Sequence, residues 1–170
     1  MTNLLTRPVC LDDAEAIVGI LNPIIEAGTF TVFDTPLTVD AEREYLAAFP
    51  ARGVFLVALR TSDRQIVGFQ SMEPFAEFTR AFDHVGVLGT YVAHASRRQG
   101  VATRLFEATF AAAREKGYEK IFTYVRADND AASRVYQRHG FSVVGTARRH
   151  ARIGGRYIDE ILIEKIFENE

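Results

Sequence analysis

Tryptophan is absent from the 170 residues, methionine occurs twice, and the single cysteine is Cys10. One cysteine excludes an intrachain disulfide and a thiolate metal site, and it fits a reducing cytosol. No apolar run approaches the roughly 20 residues that span a bilayer, and residues 1–7 lack a signal-peptide pattern. A basic excess is missing as well: 20 Lys and Arg face 22 Asp and Glu, for a net charge of −2. A general nucleic-acid binder needs positive charge to displace counterions, so that class is excluded. The four histidines have no ligand spacing, and no metal site is expected. Without a repeat, low-complexity tract or flexible linker, residues 1–170 are expected to form one domain. At 48% hydrophobic residues the chain can fill a core.

What is present reads as alternating strands and helices. Residues 4–7 form a first strand, stopped by Pro8. Asp12, Asp13 and Glu15 open a helix whose Ile17, Ile20, Leu21 and Ile24 recur at helical spacing, and Gly28 closes that region. Residues 29–37 are a loop, apolar and aromatic but broken by Asp34 and Pro36. Thr38 caps a second helix with Asp40 and Glu42 in its first turn. Residues 53–60 and 65–72 are β-type runs around a polar turn, hence a hairpin. Residues 74–83 form a loop placed to line a pocket. A strand at 85–92, a helix from Gly100 to about Lys116, a strand at 118–125 and a helix at 130–139 follow. The helix crossover makes the strands at 85–92 and 118–125 parallel neighbours. Strands at 141–147 and 157–167 are joined through Gly154 and Gly155. The order β-α-α-β-β-β-α-β-α-β-β predicts an α/β fold, a mixed sheet with helices on both faces.

Residues 88–103 organise the rest. A buried strand runs into a polar turn carrying Arg97 and Arg98, and Gly100 then starts a helix. The N–H groups of a first helical turn have no partner within the helix, and the helix dipole adds positive charge there. Gly100 lets an anion approach the backbone, so the turn suits a phosphate. A nucleotide P-loop is excluded, because no Gly-Lys-Ser/Thr and no G-x-G-x-x-G is present. An ordinary connection with a solvated arginine pair accounts for the stretch equally well.

A second element shifts that balance. Asn129 is followed by a helix reaching Tyr136 and then by Gly140-Phe141, while Arg97-Arg98-Gln99-Gly100-Val101-Ala102 precedes it. Together these motifs and the element order resemble the GNAT superfamily of acyl-CoA N-acyltransferases, over nearly the whole chain. The resemblance implies the GNAT fold and acetyl-CoA as co-substrate, with no metal. Acetyl-CoA would lie at the splayed edges of the two parallel strands, its pantetheine arm pairing with the backbone of Tyr91 and Val92. The N–H groups of Arg97, Arg98, Gln99, Gly100, Val101, Ala102 and Thr103 would hold the pyrophosphate. Asn129, Ser133 and Tyr136 would contact the far side of the arm.

Direct attack by an amine needs three helpers. The ammonium, with a pKa of about 10, must lose a proton. The carbonyl oxygen needs a preorganised donor, and the resemblance assigns it to the Val92 N–H. The thiolate needs an acid, for which Tyr136 stands in the family position; a core tyrosine beside Ala132, Val135 and His139 is the competing reading. For the base, a subgroup resembling phosphinothricin-type acetyltransferases carries a glutamate where this chain has Val87. Glu26, Glu73 and His84 are the remaining candidates, and Glu73, next to the third strand, joins the catalytic set. Phe30, Phe33, Phe75 and Phe78 are expected to wall the pocket. Residues 148–152, Arg-Arg-His-Ala-Arg, are either an anion site or a solvated hairpin face. Asp159 and Glu160 are read as structural, paired with an arginine.

The acceptor is expected to be a small primary amine, an amino acid or an analogue such as phosphinothricin or methionine sulfone. Polyamine, protein N-terminus and non-catalytic CoA-binding readings are the alternatives. A homodimer is expected from an unpaired sheet edge at 157–167.

Overall fold

A computed structural model describes residues 4–168. The strands are β1 (Leu4–Pro8), β2 (Val54–Arg60), β3 (Ile66–Pro74), β4 (Val85–Val92), β5 (Lys120–Arg126), β6 (Ser142–Ile153) and β7 (Arg156–Ile166). The helices are α1 (Ala14–Glu26), α2 (Val39–Ala47), α3 (Val101–Glu115) and α4 (Asp130–Arg138). The order along the chain is the expected one, with short 3₁₀ turns added. All seven strands join one mixed sheet in the order β1-β2-β3-β4-β5-β7-β6, antiparallel except between β4 and β5.

Helices cover both faces, which is why β2 is apolar at nearly every position rather than alternating. Val54, Leu56 and Ala58 meet Val101, Leu105 and Phe106 of α3. Their neighbours Phe55, Val57 and Leu59 meet Ile17, Leu21 and Ile24 of α1 on the opposite face. Each fully buried side chain of this kind contributes about 1.5–3 kcal/mol. The predicted Thr38 cap forms, its Oγ1 accepting from Ala41 N, and Asn129 Oδ1 caps α4 by accepting from Ala132 N, both at 3.1 Å. Each such cap is worth about 1 kcal/mol.

Three expectations are corrected. The strand expected at 157–167 is no edge: β7 lies between β5 and β6, and the edges are β1 and β6. β6 does not end at residue 147 but continues to Ile153. Its register against β7 shifts between Ala147 and Ala151, with Arg149 at φ 52°. That bulge absorbs extra residues without ending the strand, so a polar Arg-Arg-His run remains inside it. Tyr118 precedes β5 rather than starting it; its ring is buried and its hydroxyl donates to the Arg52 carbonyl at 3.1 Å.

The parallel pair sets up the site. β4 and β5 register only at Val85–Lys120, Gly86–Ile121 and Val87–Phe122, and then part. Thr123 Oγ1 donates to the Leu88 carbonyl at 2.6 Å, a side-chain bond just beyond the last paired residues.

Candidate active site

Beyond Thr123 the backbone of β4 faces a gap. Ala93 N donates to Val67 O of β3 at 3.0 Å, so by strand alternation the N–H of Val92 points the other way, toward β5. Thr90 has the same orientation. A cavity of about 340 Å³ opens here, with Leu88, Gly89, Thr90 and Tyr91 from β4 and Thr123, Tyr124, Val125 and Arg126 from β5 in its walls.

The two faces of the sheet contribute differently. From the α4 side come Ala132 and Tyr136, one helical turn apart. Tyr136 is buried among Phe106 and Phe141, as a core tyrosine would be, and its hydroxyl reaches the gap. That hydroxyl donates to Thr90 Oγ1 at 3.0 Å, an oxygen that also accepts from Gln70 Nε2 at 2.8 Å. Burial pushes the Tyr136 phenol up to about 12, against a smaller pull downward from Thr90. At neutral pH it is a proton donor.

From the α1 side come Phe30, Thr31, Val32 and Phe33, with Glu73 and Glu160. Of the four aromatic wall residues expected, Phe30 and Phe33 line this cavity. Phe75 packs on Phe82 and Phe122 instead, and Phe78 is 86% exposed. Glu73 lines the cavity and accepts a hydrogen bond from the Tyr45 hydroxyl. Glu26 is exposed and outside the lining. His84 is also exposed, directly before β4 at the end opposite Val92. Val87 lines the cavity at the position of the related glutamate, and it can take no proton.

Arg126 holds the loop between α1 and α2. Its Nη1 donates to the carbonyls of Gly28 at 2.8 Å and Thr31 at 3.0 Å. Asp128 takes Nε at 2.9 Å and Nη2 at 2.7 Å, and this guanidinium holds the Asp128 carboxyl below its usual range. Asn129, besides capping α4, donates from Nδ2 to the Phe30 carbonyl at 3.3 Å. Asp128 is a near neighbour in sequence, but no sequence signal marks the hold of Arg126 on the loop, because Gly28 and Thr31 lie 98 and 95 residues upstream.

The basic turn lies past the end of β4. Arg98 and Gly100 both have positive φ, 59° and 82°. Alternating backbone of this kind turns successive N–H groups toward one point, an anion-binding concavity. Unlike α2 and α4, α3 begins without a side-chain cap, so Val101, Ala102 and Thr103 present first-turn N–H groups. The guanidinium of Arg97 stacks over Phe30 at 4.3 Å, tying the turn to the cavity wall. Arg98 is exposed and pairs with no carboxylate among the described residues. Ser133 is half-buried, next to Ala132 on α4.

The 148–152 cluster lies outside the lining of this cavity. Arg149 and Arg152 stack on Tyr157, at 4.0 and 5.5 Å. Asp159 accepts from the Arg149 N–H at 2.6 Å, a structural role as expected. Glu160 differs: it is 3% exposed, lines the cavity, and takes no hydrogen bond among the described residues. Reading it as a paired structural residue missed this. No group of His, Cys, Asp or Glu among the described residues is arranged around a metal position.

A mixed seven-stranded sheet, parted between its two parallel strands beside an uncapped helix start, is the architecture of an acyltransferase that seats an extended thioester donor. The chain belongs to the acetyltransferase (GNAT) family, whose pattern matches residues 24–141. A curated relative, phosphinothricin N-acetyltransferase of Streptomyces coelicolor, is 24% identical over 161 residues, 94% of each chain. A GNAT-family acetyltransferase of Streptococcus pneumoniae superposes with a TM-score of 0.83 at 27% identity, covering 97% of this chain and 100% of that one. A phosphinothricin acetyltransferase of Sinorhizobium meliloti, solved in complex with acetyl-CoA, superposes at 0.89 with 16% identity, covering 98% and 89%.

Proposed function

We propose that the protein transfers the acetyl group of acetyl-CoA to a small primary amine, an amino acid or a close analogue. The observation that carries this is the parting of β4 from β5 after Val87, beside the uncapped start of α3. An unpaired strand edge suits the amide-bearing pantetheine arm, and the concavity at residues 97–103 suits a pyrophosphate. The acetyl-CoA complex of the Sinorhizobium neighbour and the activity named for the Streptomyces relative support the same reading.

In this reading acetyl-CoA supplies an acetyl thioester in the gap. The Val92 backbone meets its arm, while Tyr91, whose backbone is turned to β3 instead of to the gap as expected, only lines the cavity, and Asn129, Ser133 and Tyr136 stand on the far side. The N–H groups of Arg97 to Thr103 and the free charge of Arg98 hold the pyrophosphate. The Val92 N–H meets the carbonyl oxygen as it gains negative charge, where a fixed donor is worth about 3–4 kcal/mol. Tyr136 donates a proton to the departing sulfur. Glu73, with Tyr45 on one oxygen, orients the amine or a water at the cavity wall. One Nη2 hydrogen of Arg126 is left after Asp128 and the two loop carbonyls are served, and it suits an acceptor carboxylate.

The test is a thermal-shift titration with acetyl-CoA, with adenosine diphosphate as the control, followed by thiol release with a panel of amines. A hundredfold excess over Kd adds about 2.7 kcal/mol. A rise with acetyl-CoA, little with the control, and turnover of amino-acid-type amines are expected; no rise with acetyl-CoA would sink the assignment. We also propose a homodimer, now through the edge strand β6, where Val143 and Val144 are each 54% exposed. Light scattering that finds a monomer at working concentration would remove it.

A further inference from the structure

The family-type glutamate is missing at Val87, yet one carboxylate in the cavity has the features that position lacks. Glu160 comes from β7, two strands away from Val87, and stands opposite Arg126 of β5 in the sheet register. Its side chain is 4% exposed and lines the cavity, and neither oxygen accepts a hydrogen bond among the described residues. His150 Nε2, 3.9 Å from Oε2, is beyond hydrogen-bond range, so the donor this largely buried carboxylate needs can come from a molecule in the cavity. Three other acidic groups each have a donor: Glu73 takes Tyr45 on one oxygen, Asp128 takes Arg126, and Asp159 takes the Arg149 N–H. Glu73 keeps one oxygen free, whereas Glu160 brings two oxygens without a hydrogen-bond donor among the described residues to the same cavity.

We propose that Glu160 is the group that receives the acceptor's ammonium and takes its proton, the general base of this chain. The inference rests on the acetyl-transfer reading above. The ammonium gives one proton to a Glu160 oxygen, and the freed nitrogen forms the C–N bond to the acetyl carbon. The C–S bond breaks as the sulfur takes the Tyr136 proton. The surplus proton on the new amide nitrogen restores Tyr136 through water. Glu160 then releases its proton on the side of His150, whose Nε2 lies 3.9 Å from Oε2 and whose side chain is 56% exposed.

The groups facing Glu160 agree with this role. Burial raises its pKa, and the smaller opposing effects come from His150 on β6 and Arg126 on β5. The arginine's charge is already shared with Asp128. A carboxylate raised in this way is a better proton acceptor toward an alkylammonium than a solvated one. The acceptor accordingly binds as a cation, which selects amines that are protonated at neutral pH.

Thiol release with acetyl-CoA is followed across pH 6–10 for the wild type, Glu160→Gln and Glu73→Gln. For Glu160→Gln the expected result is a loss of about 100-fold in kcat/KM for the amine at pH 7. Its rate should then climb tenfold per pH unit, following the free amine, while the acetyl-CoA thermal shift stays at the wild-type value. Glu73→Gln keeps the wild-type profile shape. A second readout is independent of turnover: a buried acid with a raised pKa lowers stability as pH rises, so Glu160→Gln should raise Tm more at pH 8 than at pH 4. A Glu160→Gln enzyme with the wild-type rate and profile overturns the proposal and leaves acetyl transfer standing. A profile that moves with Glu73 instead also overturns it. A wild type that binds acetyl-CoA and acetylates no amine strikes the proposed function, and this inference with it.

Discussion

The hydroxyl of Tyr136 donates to Thr90 Oγ1 across 3.0 Å, linking α4 to the strand that lines the gap. The bond fixes the phenol where β4 has left β5, and burial keeps it protonated up to about pH 12. Tyr136→Phe removes the proton and leaves the ring. The expected outcome is a fall in kcat of about 100-fold at saturating acetyl-CoA, with the Kd for acetyl-CoA nearly unchanged. Stability should drop by only about 1 kcal/mol, the net worth of a neutral hydrogen bond. Full turnover by the variant would remove Tyr136 from the chemistry.

Gly100 tests the proposed pyrophosphate turn without touching a charge. Its φ is 82°, and a Cβ built there meets nothing within 4 Å. Any effect of Gly100→Ala is therefore conformational rather than steric, about 1–2 kcal/mol for a left-handed residue. If the turn relaxes to relieve that strain, the N–H groups lose their common focus. The acetyl-CoA Kd, measured by calorimetry, should rise about tenfold, equivalent to about 1.4 kcal/mol. An unchanged Kd would show that the pyrophosphate does not use this turn.

The ion pair at the start of the fold gives a pH signature. Arg7 donates to both oxygens of Asp13, at 2.6 and 2.8 Å, and the Cys10 N–H adds a third bond at 2.9 Å. The Arg7 hydrogen bonds, chiefly, hold Asp13 below the ordinary carboxylate range. The unfolded chain, with Asp13 titrating near 3.9, then binds more protons than the folded one. The contribution is fully present above about pH 4 and is lost as pH falls through the depressed folded value. Urea unfolding of Asp13→Asn should show a deficit of about 1–2 kcal/mol at pH 6 that closes below pH 4. A deficit that is constant with pH would place the effect in packing.

Two glycines in the sheet should respond unequally. A Cβ on Gly68 would lie 2.8 Å from Val101 Cγ1 and 3.0 Å from the Tyr91 carbonyl oxygen, a branched side chain and a backbone atom. On Gly86 it would meet the Sδ and Cγ of Met72, 2.8 and 2.9 Å away. Methionine can re-rotate and a strand cannot. Gly68→Ala should cost about 2–3 kcal/mol by chemical denaturation, and Gly86→Ala about 1 kcal/mol or less. Equal losses would mean that Met72, fully buried, is as fixed as the strand.

Local chemistry was legible where it is contiguous. The caps at Thr38 and Asn129, the turn at residues 97–100 and the parallel pair all follow from neighbouring residues and a crossover rule. The parts that stayed hidden depend on long-range register. Glu160 is indistinguishable in sequence from Asp159, yet alternation along β7 sends one to the cavity and the other to the Arg149 backbone. Phe75 and Phe78 were misplaced for a related reason, because nothing local says which aromatic side chains of a loop turn inward. The edge at β6 was missed because β7 inserts between β5 and β6, and the end of β6 because the Arg-Arg-His run is absorbed by a bulge.

The loop between α1 and α2 is stapled at a few points only. Arg126 holds Gly28 and Thr31, Asn129 holds Phe30, and Asn22 brackets Leu37 with two bonds of 2.9 Å. Residues 32–36 hang between those staples, and Val32 and Phe33 among them face the acceptor half of the cavity. The fold thus treats this segment as an exchangeable cartridge, with fixed sockets at both ends and Tyr136 reaching the cavity from the opposite face of the sheet. Under the acetyl-transfer proposal, swapping five residues would retune which amine is accepted while the rest of the cavity keeps its geometry.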